Sequence, residues 1–176
     1  MSQAHIRRAV PADAEVLARL GRQTFSDKFA HLYPPEDLAD YLRTAYAAED
    51  IAGDCADPAK ALWLAEADGQ AVGYAYVGPC TLPHPQVTAR CGELKRIYVL
   101  QSHQGGGLGS GLLRLSLDWL RGAGAEQLWL GVYSGNLEAQ RLYARHGFEK
   151  VGEYDFPVGK TLDREFILRR SAASAA

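Results

Sequence analysis

No apolar run in this sequence approaches the roughly 20 residues that a membrane-spanning helix needs, so a membrane protein is not expected. The first ten residues carry His5, Arg7 and Arg8 around no apolar segment, which reads as no secretory leader. Cysteine is scarce. Cys55, Cys80 and Cys91 form no C-x-x-C pair and are odd in number, which points to reduced thiols in a cytoplasmic protein, each a small packed side chain. An excess of either charge is also missing: 19 basic residues against 21 acidic ones leave a net charge of −2, no footprint for a nucleic-acid partner. His103 and His146 stand alone, without companions at metal-ligand spacing, so they read as surface polar groups and no metal is expected. Neither a repeat nor a linker interrupts the chain. With 176 residues, 47% hydrophobic and 23% charged, the composition is that of one globular domain with a full core.

What the sequence does have is a glycine-rich turn. Gln104-Gly105-Gly106-Gly107-Leu108-Gly109 follows the apolar stretch Ile97-Tyr98-Val99-Leu100 and precedes an amphipathic stretch over 108–120. Between a strand and a helix, such a turn brings bare backbone N–H groups against phosphate oxygens, because the first N–H groups of a helix lack internal partners and its dipole adds partial positive charge. A phosphorylated ligand is therefore expected. The Rossmann pattern fails, since Ser110 stands at the third glycine position and no acid closes the next strand near 128–132. A Walker loop fails as well, because the turn contains no lysine. A tight turn without a ligand is the structural alternative.

The pattern of elements predicts an α/β protein. A strand over 5–10 leads to a helix begun by Pro11 and Asp13 with Val16, Leu17, Leu20 and Phe25 inward, then a helix after Pro34-Pro35 carrying Leu38, Tyr41, Leu42 and Tyr46, then a short helix over 50–55. Strands over 62–66 and 70–77 are joined by Asp68-Gly69, a type I′ hairpin signal. A proline-punctuated loop over 79–90 precedes a central strand over 93–100. The helix over 107–121 should bury Leu108, Leu112, Leu115 and Trp119, and Gly122 and Gly124 end it. A strand over 128–133, a helix over 136–146 and strands over 148–155 and 164–169 complete the domain, 1–170, before a disordered tail over 171–176.

Gln104-x-x-Gly107-x-Gly109, with Leu128-Trp129-Leu130-Gly131-Val132, Asn136, Ala139, Leu142, Tyr143 and Gly147-Phe148 behind it, resembles the GNAT superfamily of acetyl-CoA-dependent N-acetyltransferases. The match runs over about 93–148, in the family's order and spacing, and the order of elements is similar over essentially the whole chain. The resemblance implies a mixed, mostly antiparallel sheet splayed at its centre and flanked by helices. It implies acetyl-CoA as co-substrate, with pantetheine pairing like an added strand on the backbones of Ile97, Tyr98 and Val99, and the diphosphate on N–H groups of Gln104, Gly105, Gly106, Gly107, Leu108 and Gly109. Nothing in the residues sets the oligomeric state; the family's habit implies a homodimer.

The chemistry asks for a base and an acid. A primary alkyl amine has a pKa of about 10.4, so holding it neutral at pH 7 costs about 4.6 kcal/mol. Glu93, at the start of the central strand, stands where several GNAT enzymes carry a catalytic Glu; the plain reading is a strand-end carboxylate paired with Lys95 or Arg96. Strand alternation predicts that Glu93, Lys95 and Ile97 share a face. Tyr143 occupies the family's position for the acid that protonates the departing thiolate, and its alternative is a ring packed on the sheet. Asn136 has two candidate tasks, capping its helix and contacting the cofactor.

For the acceptor, Thr24-Phe25, His31-Leu32, Pro35-Glu36-Asp37-Leu38, Tyr41-Leu42 and Ala45-Tyr46, with Glu93-Leu94-Lys95-Arg96-Ile97-Tyr98-Val99 and Leu130-Gly131-Val132, look like the bacterial PaiA-type spermidine/spermine N-acetyltransferases. Glu36, Asp37, Asp40, Glu49, Asp50 and Asp54 crowd the helical region that borders the acceptor side in that fold, and a carboxylate-rich rim would draw a polycation; a solvated helix face is the other reading. The expected activity is acetylation of a small primary amine, such as a polyamine, by direct attack in a ternary complex. A protein or peptide amine as acceptor, and a non-catalytic acyl-CoA-binding module, are the alternatives.

Overall fold

The computed structural model describes residues 4–173. Seven strands, β1 (His5–Arg8), β2 (Ala61–Ala67), β3 (Gln70–Pro79), β4 (Cys91–Val99), β5 (Gln127–Tyr133), β6 (Glu149–Val158) and β7 (Thr161–Ser171), form one sheet in the order β1-β2-β3-β4-β5-β7-β6. Helices α1 (Ala14–Phe29), α2 (Pro35–Ala45), α3 (Ala48–Ala56), α4 (Leu108–Gly122) and α5 (Leu137–Arg145) connect them. Every pairing is antiparallel except β4–β5, where α4 makes the crossover that a parallel pair requires. The α/β architecture read from the sequence is the one observed.

Strand alternation divides the core. Trp63, Ala65, Ala75, Val77, Leu128, Leu130 and Val132 pack against α4 and α5, while Leu62, Leu64, Tyr74 and Tyr76 meet α1 and its followers on the other face. The Asp68-Gly69 turn has both residues at positive φ, 52° and 74°, as a type I′ turn requires. Two helix readings shift. Pro11–Asp13 is a 3-10 turn ahead of α1, with Asp13 held by Arg7 at 2.8 Å. On α4 the buried stripe is Leu112, Leu113, Ser116, Leu117 and Leu120, and Leu115 points outward, because the helix meets the sheet along a face rotated from the predicted one.

A bulge corrects the reading of β4. Register with β3 slips between Tyr76 and Val77, which inserts Lys95 as an extra residue and shifts the phase of alternation beyond it. Ile97 and Val99 accordingly join Leu94 on the α4 face, whereas Arg96 and Tyr98 lie on the α1 face; Arg96 stacks 4.3 Å from the Tyr46 ring centroid. Glu93 and Lys95 do not share a face with Ile97.

Residues 171 and 172 of the expected tail are held in place. Ser171 is the last residue of β7, and Ala172 donates to the Glu126 carbonyl at 3.0 Å and accepts from Arg121 Nε at 3.0 Å. Residues 174–176 of that tail lie outside the described residues. No helix among the described residues is long and apolar enough to cross a membrane.

Candidate active site

The sheet opens at its middle. β4 and β5 pair only over Cys91–Gln127, Gly92–Leu128 and Glu93–Trp129, while β4 stays paired with β3 along its length. Past Glu93 the two strands part around a cleft of about 1170 Å³. Leu100 donates to the Val72 carbonyl at 2.8 Å, and in an antiparallel ladder the inward-bonding residues alternate, so Tyr98 also turns its backbone groups to β3. Ile97 and Val99 are the residues whose N–H and C=O face the gap. Of the three backbones read as a pantetheine edge, two are therefore presented, and Tyr98 contributes its ring to the opposite face instead.

The glycine loop stands at the gap's mouth. Gly105 and Gly107 have φ of +82° and +85°, a conformation that side chains strain to adopt, and Gly107 precedes α4, whose first turn has no side-chain cap. At Gly105, Gly106, Gly107 and Gly109 an added Cβ would meet no atom within 4 Å. Gly106 and Gly109 thus have neither a conformational nor a packing reason to be glycine within the chain itself. The Gln104 N–H, read as part of the cradle, is spent on the Gln101 carbonyl at 3.3 Å, but the N–H groups of 105–109, an uncapped helix and empty space above glycines fit a diphosphate group. The Gln104 amide donates to the Val99 carbonyl at 3.0 Å, tying the loop to the strand.

Glu93 lies at the point of divergence and is 7% exposed. Its Oε2 accepts from the Thr81 N–H at 2.9 Å, from Thr81 Oγ1 at 3.3 Å and from Lys95 Nζ at 3.0 Å. The pairing with Lys95 is thus real, and Oε1 is left without a partner among the described residues. Tyr143, on α5, is 7% exposed and stacks edge-on against Phe148 at 6.0 Å. The packed-ring reading is observed, and the hydroxyl makes no hydrogen bond among the described residues while the residue lines the cleft. Burial raises its pKa, so the phenol keeps its proton. Asn136 caps α5, its Oδ1 accepting from the Ala139 N–H at 3.2 Å, and borders the cleft as well.

The carboxylates read as an acidic rim are elsewhere. None of Glu36, Asp37, Asp40, Glu49, Asp50 and Asp54 lines the cleft. Asp37 is buried as an anchor, accepting from the Lys160 N–H at 3.0 Å and Thr161 Oγ1 at 2.7 Å, bonds that hold its carboxyl below the ordinary range. It fits only because Gly159, at φ +59°, carries no Cβ against it. Asp40 pairs with Arg43 and Asp54 with Lys60. These acids sit on α2 and α3, away from the cleft lining.

Other acids line the cleft, and the sequence reading missed them. Glu165 of β7 accepts from the Tyr154 hydroxyl at 2.8 Å, and Asp163 accepts from the Tyr33 hydroxyl. Burial pushes the Glu165 carboxyl up, with the Tyr154 bond opposing and the charges of Asp163 and Glu93 adding to it. The available signal was phase: Asp163 and Glu165 alternate with buried Ile167 on one face of β7. Phe25, Tyr33, Tyr41, Tyr46 and Phe156 form an aromatic wall beside them.

The profile of the Acetyltransferase (GNAT) family matches residues 23–148. The chain belongs to the GNAT family. An uncharacterised N-acetyltransferase of Mycobacterium tuberculosis is 30% identical over 158 residues, which cover 90% of this chain and 97% of that one. The spermine/spermidine N(1)-acetyltransferase of Bacillus subtilis is 31% identical over 101 residues, 56% of this chain and 65% of the other. Among solved structures, the PaiA N-acetyltransferase of Thermoplasma acidophilum, in complex with coenzyme A, is similar in fold, with a TM-score of 0.75 at 20% identity over 96% of this chain and 99% of that one. This GNAT protein is thus an acetyl-CoA-dependent N-acetyltransferase.

Proposed function

We propose that the protein transfers the acetyl group of acetyl-CoA to a primary amine of a small cationic acceptor by direct attack in one ternary complex. The observation that carries this reading is the parting of β4 and β5 beside an uncapped, glycine-lined helix start. The backbones of Ile97 and Val99 would receive pantetheine, and N–H groups of 105–109 the diphosphate, with the Asn136 amide as a further contact. Glu93 takes the proton from the amine, directly or through water, and the Tyr143 hydroxyl gives one to the departing thiolate.

Direct attack is favoured over a covalent enzyme intermediate by the state of the thiols. None of the three cysteines lines the cleft, and burial pushes Cys55 up to about 11 and Cys80 up to about 12, so neither is a thiolate near neutral pH.

A polyamine is the finer reading of the acceptor. Its support is the resemblance to PaiA-type enzymes, the name borne by the Bacillus relative, and the cleft's own acids beside an aromatic wall, which suit an alkylammonium chain. Purified protein is expected to release thiol from acetyl-CoA with spermidine, and less with lysine peptides. Release with peptides alone would replace the polyamine by a protein acceptor. Binding of acetyl-CoA without release for any amine would make the protein a non-catalytic module.

A further inference from the structure

Resting on the acetyl-transfer reading, the geometry points to Glu165 as the group that receives the acceptor's ammonium, so that the amine enters between carboxylates on opposite sides of the split sheet. Glu93 projects from β4 and Glu165 from β7, with β5 between them. On β5 the residue beneath is Gly131. A Cβ there would come within 2.9 Å of both Glu165 Oε2 and the Tyr154 hydroxyl oxygen, so the pair lies directly on bare backbone. Leu82 closes over the same glycine, its Cδ2 3.4 Å from that Cβ position.

Partnering separates the two cleft acids Glu165 and Asp163, each bonded to a phenol and to no cation among the described residues, from most other buried or half-buried acids, and of the two Glu165 is the one seated on Gly131. Asp13 and Glu66 pair with Arg7, Asp54 pairs with Lys60, and Glu93 pairs with Lys95. Glu165 has a phenol and no cation. Tyr154 bonds Oε2, which leaves Oε1 without a hydrogen-bond partner among the described residues, and Glu165 lines the cleft. The charged groups around it do not compensate: Asp163 and Glu93 are acids, Lys95 is committed to Glu93, and Arg96 lies over the Tyr46 ring and donates to the Ala45 carbonyl at 2.9 Å. A half-buried carboxylate without a counter-charge is costly to keep ionised, and burial pushes the Glu165 carboxyl up. An alkylammonium arriving at Oε1 supplies the missing charge. Tyr143, a buried residue whose hydroxyl has no partner among the described residues, lines the same cleft.

Glu165→Gln tests this, because the amide still accepts the Tyr154 hydroxyl while the charge is gone. Calorimetric binding of spermidine, butylamine and a lysine peptide is measured with coenzyme A bound, alongside steady-state kinetics on whichever is turned over. At least one of these cations is expected to bind the wild type, and Glu165→Gln to weaken it about tenfold, with a matching rise in KM, a smaller change in kcat and unchanged affinity for coenzyme A. The variant's melting temperature should not fall, since an uncompensated charge is removed. Tyr154→Phe, which keeps the carboxylate, should alter KM less than Glu165→Gln does. Equal cation binding by wild type and Glu165→Gln, no cation binding at all, or a loss of kcat at constant KM would overturn the assignment; the last would make Glu165 a proton acceptor instead. Failure of the wild type to bind coenzyme A is a separate result, and it would sink the acetyl-transfer reading itself.

Discussion

Tyr143→Phe should lower kcat about 10²-fold and leave the Kd for acetyl-CoA and the melting temperature nearly unchanged. The expectation follows from what the hydroxyl lacks. It makes no internal hydrogen bond among the described residues, so its removal strands no partner, and the ring keeps its edge-on contact with Phe148. Burial holds the phenol protonated throughout the neutral range, so the deficit should be flat with pH rather than confined to an alkaline limb. Glu93→Gln should lower kcat by a similar factor with a different accompaniment. Lys95 loses its counter-charge there while keeping its bond to Thr81 Oγ1 at 3.1 Å, and the melting temperature should drop as well. Stopped thiol release with each variant, paired with thermal unfolding, separates the two signatures. Unchanged turnover in either variant removes that residue's assignment.

Gly109→Ala should move stability and affinity in opposite directions. Gly109 sits in the first turn of α4 at an ordinary φ with open space where a Cβ would go, so alanine should stabilise the helix by about 0.5 kcal/mol. The same methyl group would occupy the space assigned to the diphosphate. Loss of one or two charge-assisted N–H contacts, about 1.5–3 kcal/mol, corresponds to a roughly 10- to 100-fold weaker Kd for acetyl-CoA. Thermal unfolding and calorimetry on one preparation read both quantities. A stabilised variant with unaltered affinity would show that the loop is a turn and nothing more.

The loop and the element order were legible because they are local. Gly105 and Gly107 announce positive φ, Asp68-Gly69 announces a hairpin, and Asn136 announces a helix start, each within a few residues of chain. The splay of the sheet was legible only through resemblance. Nothing in β4 or β5 alone says that their pairing stops at Glu93 and Trp129. Where the reading failed, the deciding partner was distant in sequence. The face of Ile97 depends on how β4 aligns with Tyr76 and Val77, and a single extra residue in that register reverses it. Asp37 looked like part of a solvated acidic rim until the β6–β7 turn, more than 100 residues away, closed on it. Glu165 escaped notice for the converse reason. It carries no motif, and its significance comes from Gly131 beneath it together with the lack, among the described residues, of a cation beside it.

The most direct test of the account is a calorimetric titration of the purified protein with coenzyme A, repeated with Gly109→Ala. One site per chain, with a Kd between about 1 μM and 1 mM, is predicted for the wild type, and much weaker binding for the variant. No heat from the wild type, or equal affinity in the two proteins, would contradict a diphosphate seated on the bare backbone between β4 and α4.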